Sequence, residues 1–148
     1  MSLDPHNFRA PRNFGGLPPE YSAWDNALFV VVPIPYDATT TEPLGARTGP
    51  AAIIEASQRL EHFDRALGRE ICRAGICTTS EVEPVYSRPE SMFVRVTEVI
   101  GEILFAGKIP VLLGGEHSLT FAAVCAALKL DLARDLTVVQ LDARPDLH

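Results

Sequence analysis

The sequence predicts an α/β fold built on a parallel sheet, and three observations carry that prediction. Apolar runs of strand length alternate with longer segments of helical periodicity, in the order strand, helix, strand, helix, strand, helix, strand. The first run, "ALFVVVP" (27–33), is continuously apolar and β-branched rather than alternating, which marks a strand covered on both faces. The chemistry-bearing residues gather just after the strands, where α/β sheets place their ligands.

The elements follow in order. Residues 1–25 are rich in Pro, Gly and Asn and read as an irregular arm or oligomer contact. Residues 26–148 form the α/β domain. After the first strand comes a long polar loop, "IPYDATTTEPLGARTG", and then a helix opening at Gly49 and Pro50. Within "PAAIIEASQRLEHF", Ile53, Ile54, Ala56, Leu60 and Phe63 fall at helical spacing. A short strand is expected near 74–79. In "SRPE" (87–90) Ser87 is placed to cap a helix, with Pro89 in the first turn and Glu90 completing a capping box. Phe93, Val96, Ile100, Ile103 and Leu104 give that helix its apolar face, and Gly107 ends it. "KIPVLLGG" supplies a strand near 109–113, "HSLTFAAVCAALKL" a helix near 118–130, and "LTVVQLD" a strand near 136–142.

Composition narrows the function classes. The 148 residues are 47% hydrophobic and 22% charged, a globular balance for one domain. The net charge of −6 and the scattered arginines argue against nucleic-acid binding. The apolar runs are too short to span a membrane, and the N-terminus lacks the apolar stretch of a signal peptide, so a cytoplasmic protein is expected. Cys72, Cys77 and Cys125 form no CxxC pair and read as reduced thiols.

Three strand exits hold candidate residues. In the first, Asp37, Glu42 and Arg47 either contact a ligand or brace their own loop. In the second, "LLGGEHSLT", two glycines allow a sharp turn and His117 stands at the junction of loop and helix. His117 is either a metal ligand or a packing residue, and Ser118 is placed to cap the following helix. The lysine-bearing phosphate-loop pattern is absent. In the third, "DARPDLH", Asp142 and Asp146 flank a tight loop. One histidine and two carboxylates converging on one sheet edge favour a divalent cation such as Mn²⁺ or Mg²⁺.

"GGEHSLT" followed by "LDARPDLH" resembles the manganese ureohydrolases, the arginase and agmatinase family, with its GG[DE]HS and DAHxD motifs. "VVVPIPYDATTTEPLGARTGPAAIIEAS" is similar to the family's N-terminal segment in its agmatinase-type form. The resemblance runs from about residue 14 to the end. It implies a three-layer αβα fold, arginase-like and incomplete here because the C-terminal half is missing. It also implies hydrolysis of a small guanidino substrate (agmatine to putrescine and urea) at a binuclear Mn²⁺ site. Carried over by motif, His117 would ligate one metal, Asp142 would bridge both, and Asp146 would ligate the same metal as His117.

Two departures stand out. Arg144 replaces the histidine of DAHxD, and a guanidinium cannot ligate a cation. His148 lies nearby as a poor substitute. A further DxD-type motif of the family lies beyond the last residue, so this chain alone is expected to be weak or inactive. The alternative is a non-catalytic relative acting as a binding or assembly module. The family's sheet order, 2-1-3-8-7-4-5-6, separates the strands bearing "GGEHS" and "DARPD". The resemblance therefore implies either a gap there or a rearranged 2-1-3-4 sheet, and its bare strand edges imply a homo-oligomer.

Overall fold

A computed structural model of the chain describes residues 12–39, 45–130 and 136–143. Its elements in chain order are α1 (Pro19–Ser22), β1 (Phe29–Ile34), α2 (Gly49–Ser57), β2 (Phe63–Asp64), β3 (Arg69–Glu70), β4 (Ile76–Thr78), α3 (Pro89–Phe105), β5 (Ile109–Gly114) and α4 (Leu119–Lys129). β2 and β3 form a small antiparallel hairpin. Among the described residues no helix is long and apolar enough to cross a membrane. Cys72, Cys77 and Cys125 are all free thiols.

β1 is the centre of a three-stranded parallel sheet of order β4-β1-β5. Phe29 lies opposite Ile76 on one side and Ile109 on the other. This is the 2-1-3 order that the family resemblance implied. The crossovers from β1 to β4 and from β4 to β5 run in opposite directions across the sheet. Right-handed connections therefore put α2 and α3 on opposite faces. β1 meets apolar neighbours on both sides, which explains its unbroken apolar run.

Val30, Val32 and Ile34 point to one face and are fully buried. There they meet Met92, Val96, Ile100 and Ile103 of α3 and Leu119, Ala122 and Ala126 of α4. Each of the Val, Ile, Leu and Met side chains among these contributes about 1.5–3 kcal/mol on burial. α3 and α4 are also tied together by Thr97, whose hydroxyl donates to the Ala122 carbonyl at 3.2 Å.

α3 begins one residue later than the capping box implied. Arg88 is the N-cap, and neither it nor Ser87 makes a side-chain cap bond. Pro89 explains the shift, because it holds the preceding residue extended (Arg88 φ −151°, ψ 113°) and fixes the first helical turn behind itself. At the other end Gly107 takes φ 71°. The amides of Lys108 and Gly107 then bond back to the carbonyls of Ile103 (3.1 Å) and Leu104 (2.9 Å), closing a Schellman motif.

α2 is shorter than its periodicity predicts. It stops at Ser57, and Leu60 and Phe63 are each 54% exposed rather than buried on a helical face. The end of the helix is committed to the N-terminal arm instead. The Ser57 hydroxyl accepts from the Gly15 amide (2.9 Å), and the Gln58 side chain donates to the Asn13 carbonyl (2.6 Å). Tertiary partners have overridden the local pattern.

The strand expected at 136–142 does not form. Residues 136–143 have no regular structure and are exposed, Leu141 at 96%. The rearranged 2-1-3-4 sheet is thus not adopted, and among the described residues the outer edge of β5 is unpaired. A β-branched apolar run has no reason to extend as a strand unless a neighbour takes up its N–H and C=O groups.

Candidate metal centre

The site is built where β1 and β5 end side by side, Ile34 opposite Gly114. Beyond that point the two exit loops interlock. A Cβ on Gly115 would lie 2.0 Å from the Tyr36 carbonyl oxygen, so no residue but glycine lets the loop after β5 approach the loop after β1 this closely. Glu116 then fastens them. Its carboxylate accepts the Thr39 amide at 2.9 Å and also the Thr39 hydroxyl. It accepts the Ser118 hydroxyl as well. Ser118 has helical backbone angles and spends its hydroxyl on Glu116, so it is not the side-chain cap the sequence led one to expect.

His117 follows Glu116 directly. Its side chain is 70% exposed, and its Nε2 lies 3.7 Å from Asp142 Oδ2. That separation is longer than a hydrogen bond. The Gln140 side chain donates to the same Asp142 oxygen at 3.2 Å. His117 opens onto a cleft of about 420 Å³ lined in part by Leu112, Gly115, Glu116 and Thr120. The structure thus brings together two of the three ligands expected from the sequence. Asp146, Arg144 and His148 lie outside the described residues. Among the described residues no group of three or more His, Cys, Asp or Glu side chains converges.

The donor chemistry fits a first-row divalent cation. An imidazole nitrogen and a carboxylate oxygen on a shared ion, each about 2.1 Å from it, stand roughly 3–4 Å apart. The 3.7 Å between His117 and Asp142 falls in that span.

The loop after β1 reads as a brace. Asp37 is fully buried, and its Oδ2 accepts the amides of Gly45 (2.9 Å) and Arg47 (3.2 Å). The Arg47 guanidinium lies 3.1 Å from Oδ1. Burial alone would push the Asp37 carboxyl up, but these amides and the guanidinium outweigh it and hold its pKa below the usual value. Glu42, the third candidate in this loop, lies outside the described residues. Tyr36 is fully buried beside the site, stacked on Tyr86 with centroids 6.0 Å apart. Its hydroxyl has no hydrogen-bond partner among the described residues, and burial, reinforced by Glu116, raises its pKa.

Sequence reasoning missed the part played by Glu116. Its partner Thr39 is 77 residues away, in a threonine run that gives no periodic signal. The only hint was a carboxylate placed between a glycine pair and the candidate ligand.

The profile of the Arginase family matches residues 27–148. The chain is 34% identical over 150 residues to the N(1)-aminopropylagmatine ureohydrolase of Synechocystis sp., covering 94% of this chain and 49% of that protein. It is 36% identical to the protein of the same name from Thermus thermophilus, over 84% of this chain and 42% of that one. Among solved structures, the agmatine ureohydrolase of Thermoplasma volcanium superposes with a TM-score of 0.72 at 27% identity, covering 82% of this chain and 40% of that one. The Trypanosoma cruzi formiminoglutamase with Mn²⁺ superposes with a TM-score of 0.65 at 23% identity, a likeness of fold. The chain spans about half the length of the curated relatives it matches. With its motifs, its β4-β1-β5 sheet and these relatives in agreement, the chain belongs to the Arginase family and carries part of the arginase-like αβα fold.

Proposed function

We propose that this chain is the metal-binding N-terminal portion of a manganese-dependent ureohydrolase acting on a linear guanidino substrate of the agmatine type. The observation that carries this reading is the 3.7 Å approach of His117 Nε2 to Asp142 Oδ2 beyond the carboxyl ends of the sheet. In this reading His117, Asp142 and Asp146 would hold the manganese. Such ions supply, when bound, a water acidic enough to serve as nucleophile toward a guanidinium carbon at neutral pH. The chain's own residues bind and orient. His117 offers a neutral imidazole lone pair, Asp142 a carboxylate that also suits a cationic guanidinium, and the Gly115–Tyr36 contact fixes the loop that bears the histidine.

Titration of the chain with Mn²⁺, read by the electron paramagnetic resonance of the free ion, tests the proposal. Binding that falls at least tenfold in His117→Ala and in Asp142→Asn is expected. Equal uptake by wild type and both variants would sink it. Urea release from agmatine and from N(1)-aminopropylagmatine is expected to be slight or absent with this chain alone. Robust turnover would overturn the inference from Arg144.

A second reading, a non-catalytic relative that keeps the fold for binding or assembly, is favoured by Arg144 itself. A permanently protonated guanidinium in place of the motif's histidine opposes a second cation. Arg144→His is the test: higher Mn²⁺ affinity assigns the second-site defect to Arg144, and unchanged affinity assigns it instead to the family's DxD-type motif, which these 148 residues do not contain. The unpaired edge of β5 also supports self-association, which sedimentation velocity would detect as a species heavier than 16.1 kDa.

A further inference from the structure

We infer that Glu116 is a positioning residue for His117, locking the loop after β5 onto the loop after β1 so that the imidazole is held ready beneath the site. The inference rests on the metal reading above for its consequence, but its geometry stands alone. Glu116 lines the cleft beside His117, but its carboxylate is not spent on a ligand to the site. Its carboxylate is instead occupied by the Thr39 amide at 2.9 Å, the Thr39 hydroxyl and the Ser118 hydroxyl. All three donors converge on the residue immediately before His117. Ser118 follows His117 in sequence, and Thr39 lies 77 residues before Glu116.

The arrangement solves a specific problem. His117 has a 70% exposed side chain, so its placement depends on the loop that carries it. It sits on a loop opened by Gly114 and Gly115, the residue type with the most conformational freedom to lose. Gly115 is pressed against the Tyr36 backbone, which restrains the loop on one side of the histidine. Glu116 restrains it immediately before the histidine and, through Ser118, immediately after. A charged acceptor makes stronger bonds than a neutral one, so a glutamate can hold an exposed loop where a glutamine would hold it less firmly. Residues that orient a ligand from outside the coordination shell affect metal affinity by about 10–100-fold.

The experiment compares wild type, Glu116→Ala, Thr39→Val and Thr39→Ser. Mn²⁺ affinity is measured by resonance of the free ion. The His117 imidazole is observed separately in the metal-free proteins by ¹⁵N-edited spectra, assigned with His117→Gln. Glu116→Ala is expected to weaken Mn²⁺ binding by about tenfold and to move the metal-free imidazole signals toward those of a free, averaging side chain. Thr39→Val, which keeps the amide bond and loses the hydroxyl, is expected to fall between. Thr39→Ser restores the hydroxyl and should return both readouts to wild type, which a general loss of stability would not do. Should Glu116→Ala fail to fold, the Thr39→Val and Thr39→Ser pair decides the matter. Unchanged affinity and unchanged imidazole spectra in Glu116→Ala and Thr39→Val would overturn the inference. If wild type takes up no Mn²⁺, the metal reading falls, and the imidazole spectra still confirm or overturn the role of Glu116.

Discussion

Two segments of this chain, "FVVVPI" at β1 and "LTVVQL" at 136–141, are written in nearly the same alphabet and meet opposite fates. The first is paired along both edges and buried on both faces. The second is exposed along its whole length and pairs with nothing in a sheet. Strand propensity is shared, so it cannot be the cause. What differs is the supply of neighbours. β1 has β4 on one side and β5 on the other, with α3 and α4 covering one face. The difference teaches that a β-branched apolar run states a capacity, and tertiary partners decide whether it is used.

The comparison can be broken by mutation. The largest effect should come from Ile34→Ala in β1, which removes a fully buried side chain from the core and should cost about 2–5 kcal/mol in urea-induced unfolding. A loss below 1 kcal/mol would mean that β1 is less committed than its burial implies. Next comes Gly115→Ala, which forces a Cβ against the Tyr36 backbone. It should destabilise by about 1–3 kcal/mol and weaken Mn²⁺ binding together with stability, since fold and site meet there.

Smaller still is the acid response of Asp37. Its folded pKa lies below the unfolded value of about 3.9. Its stabilisation is therefore fully present above that value and is lost as pH falls through the lowered folded pKa. Asp37→Asn should flatten the acid limb of a stability–pH curve, and an unchanged limb would refute the brace. The smallest effect is expected from Leu141→Ala, within about 0.5 kcal/mol, because the residue is 96% exposed. A loss rivalling that of Ile34→Ala would show that residues 136–141 do find a partner in solution.

Much of this molecule could be read before any coordinates. β1, β5, α3 and α4 each carry a local signal strong enough to survive folding, whether an unbroken apolar run or a helical pattern, whereas β4, expected near 74–79, has only a weak one. The Gly107 stop was legible because a positive φ at a helix end asks for one residue type above others. The "GGEHS" loop was legible for a similar reason. The failures have two causes, one local and the other long-range. α2 was read too long because Leu60 and Phe63 keep the period, yet Ser57 and Gln58 are drawn away by an arm more than 40 residues earlier. The cap at Ser87 lost to the backbone restriction imposed by Pro89. The strand at 136–142 lacked neighbours, and Glu116 found its partner in the loop after β1, 77 residues earlier in the chain. Apart from the Ser87 cap, which a proline two residues on decides locally, each miss turns on contacts between distant parts of the chain, made or lacking, which periodicity cannot see.

The register that sets Phe29 beside Ile109 has a further consequence, for synthesis rather than for chemistry. A ribosome adds about 5–20 residues per second, so the second flank of β1 leaves the exit tunnel roughly 4–16 s after the strand itself. Through that interval this apolar strand has at most β4 beside it in the sheet, with α3 emerging last before β5. Chaperone capture during translation should therefore centre on residues 29–34 and end once β5 has emerged.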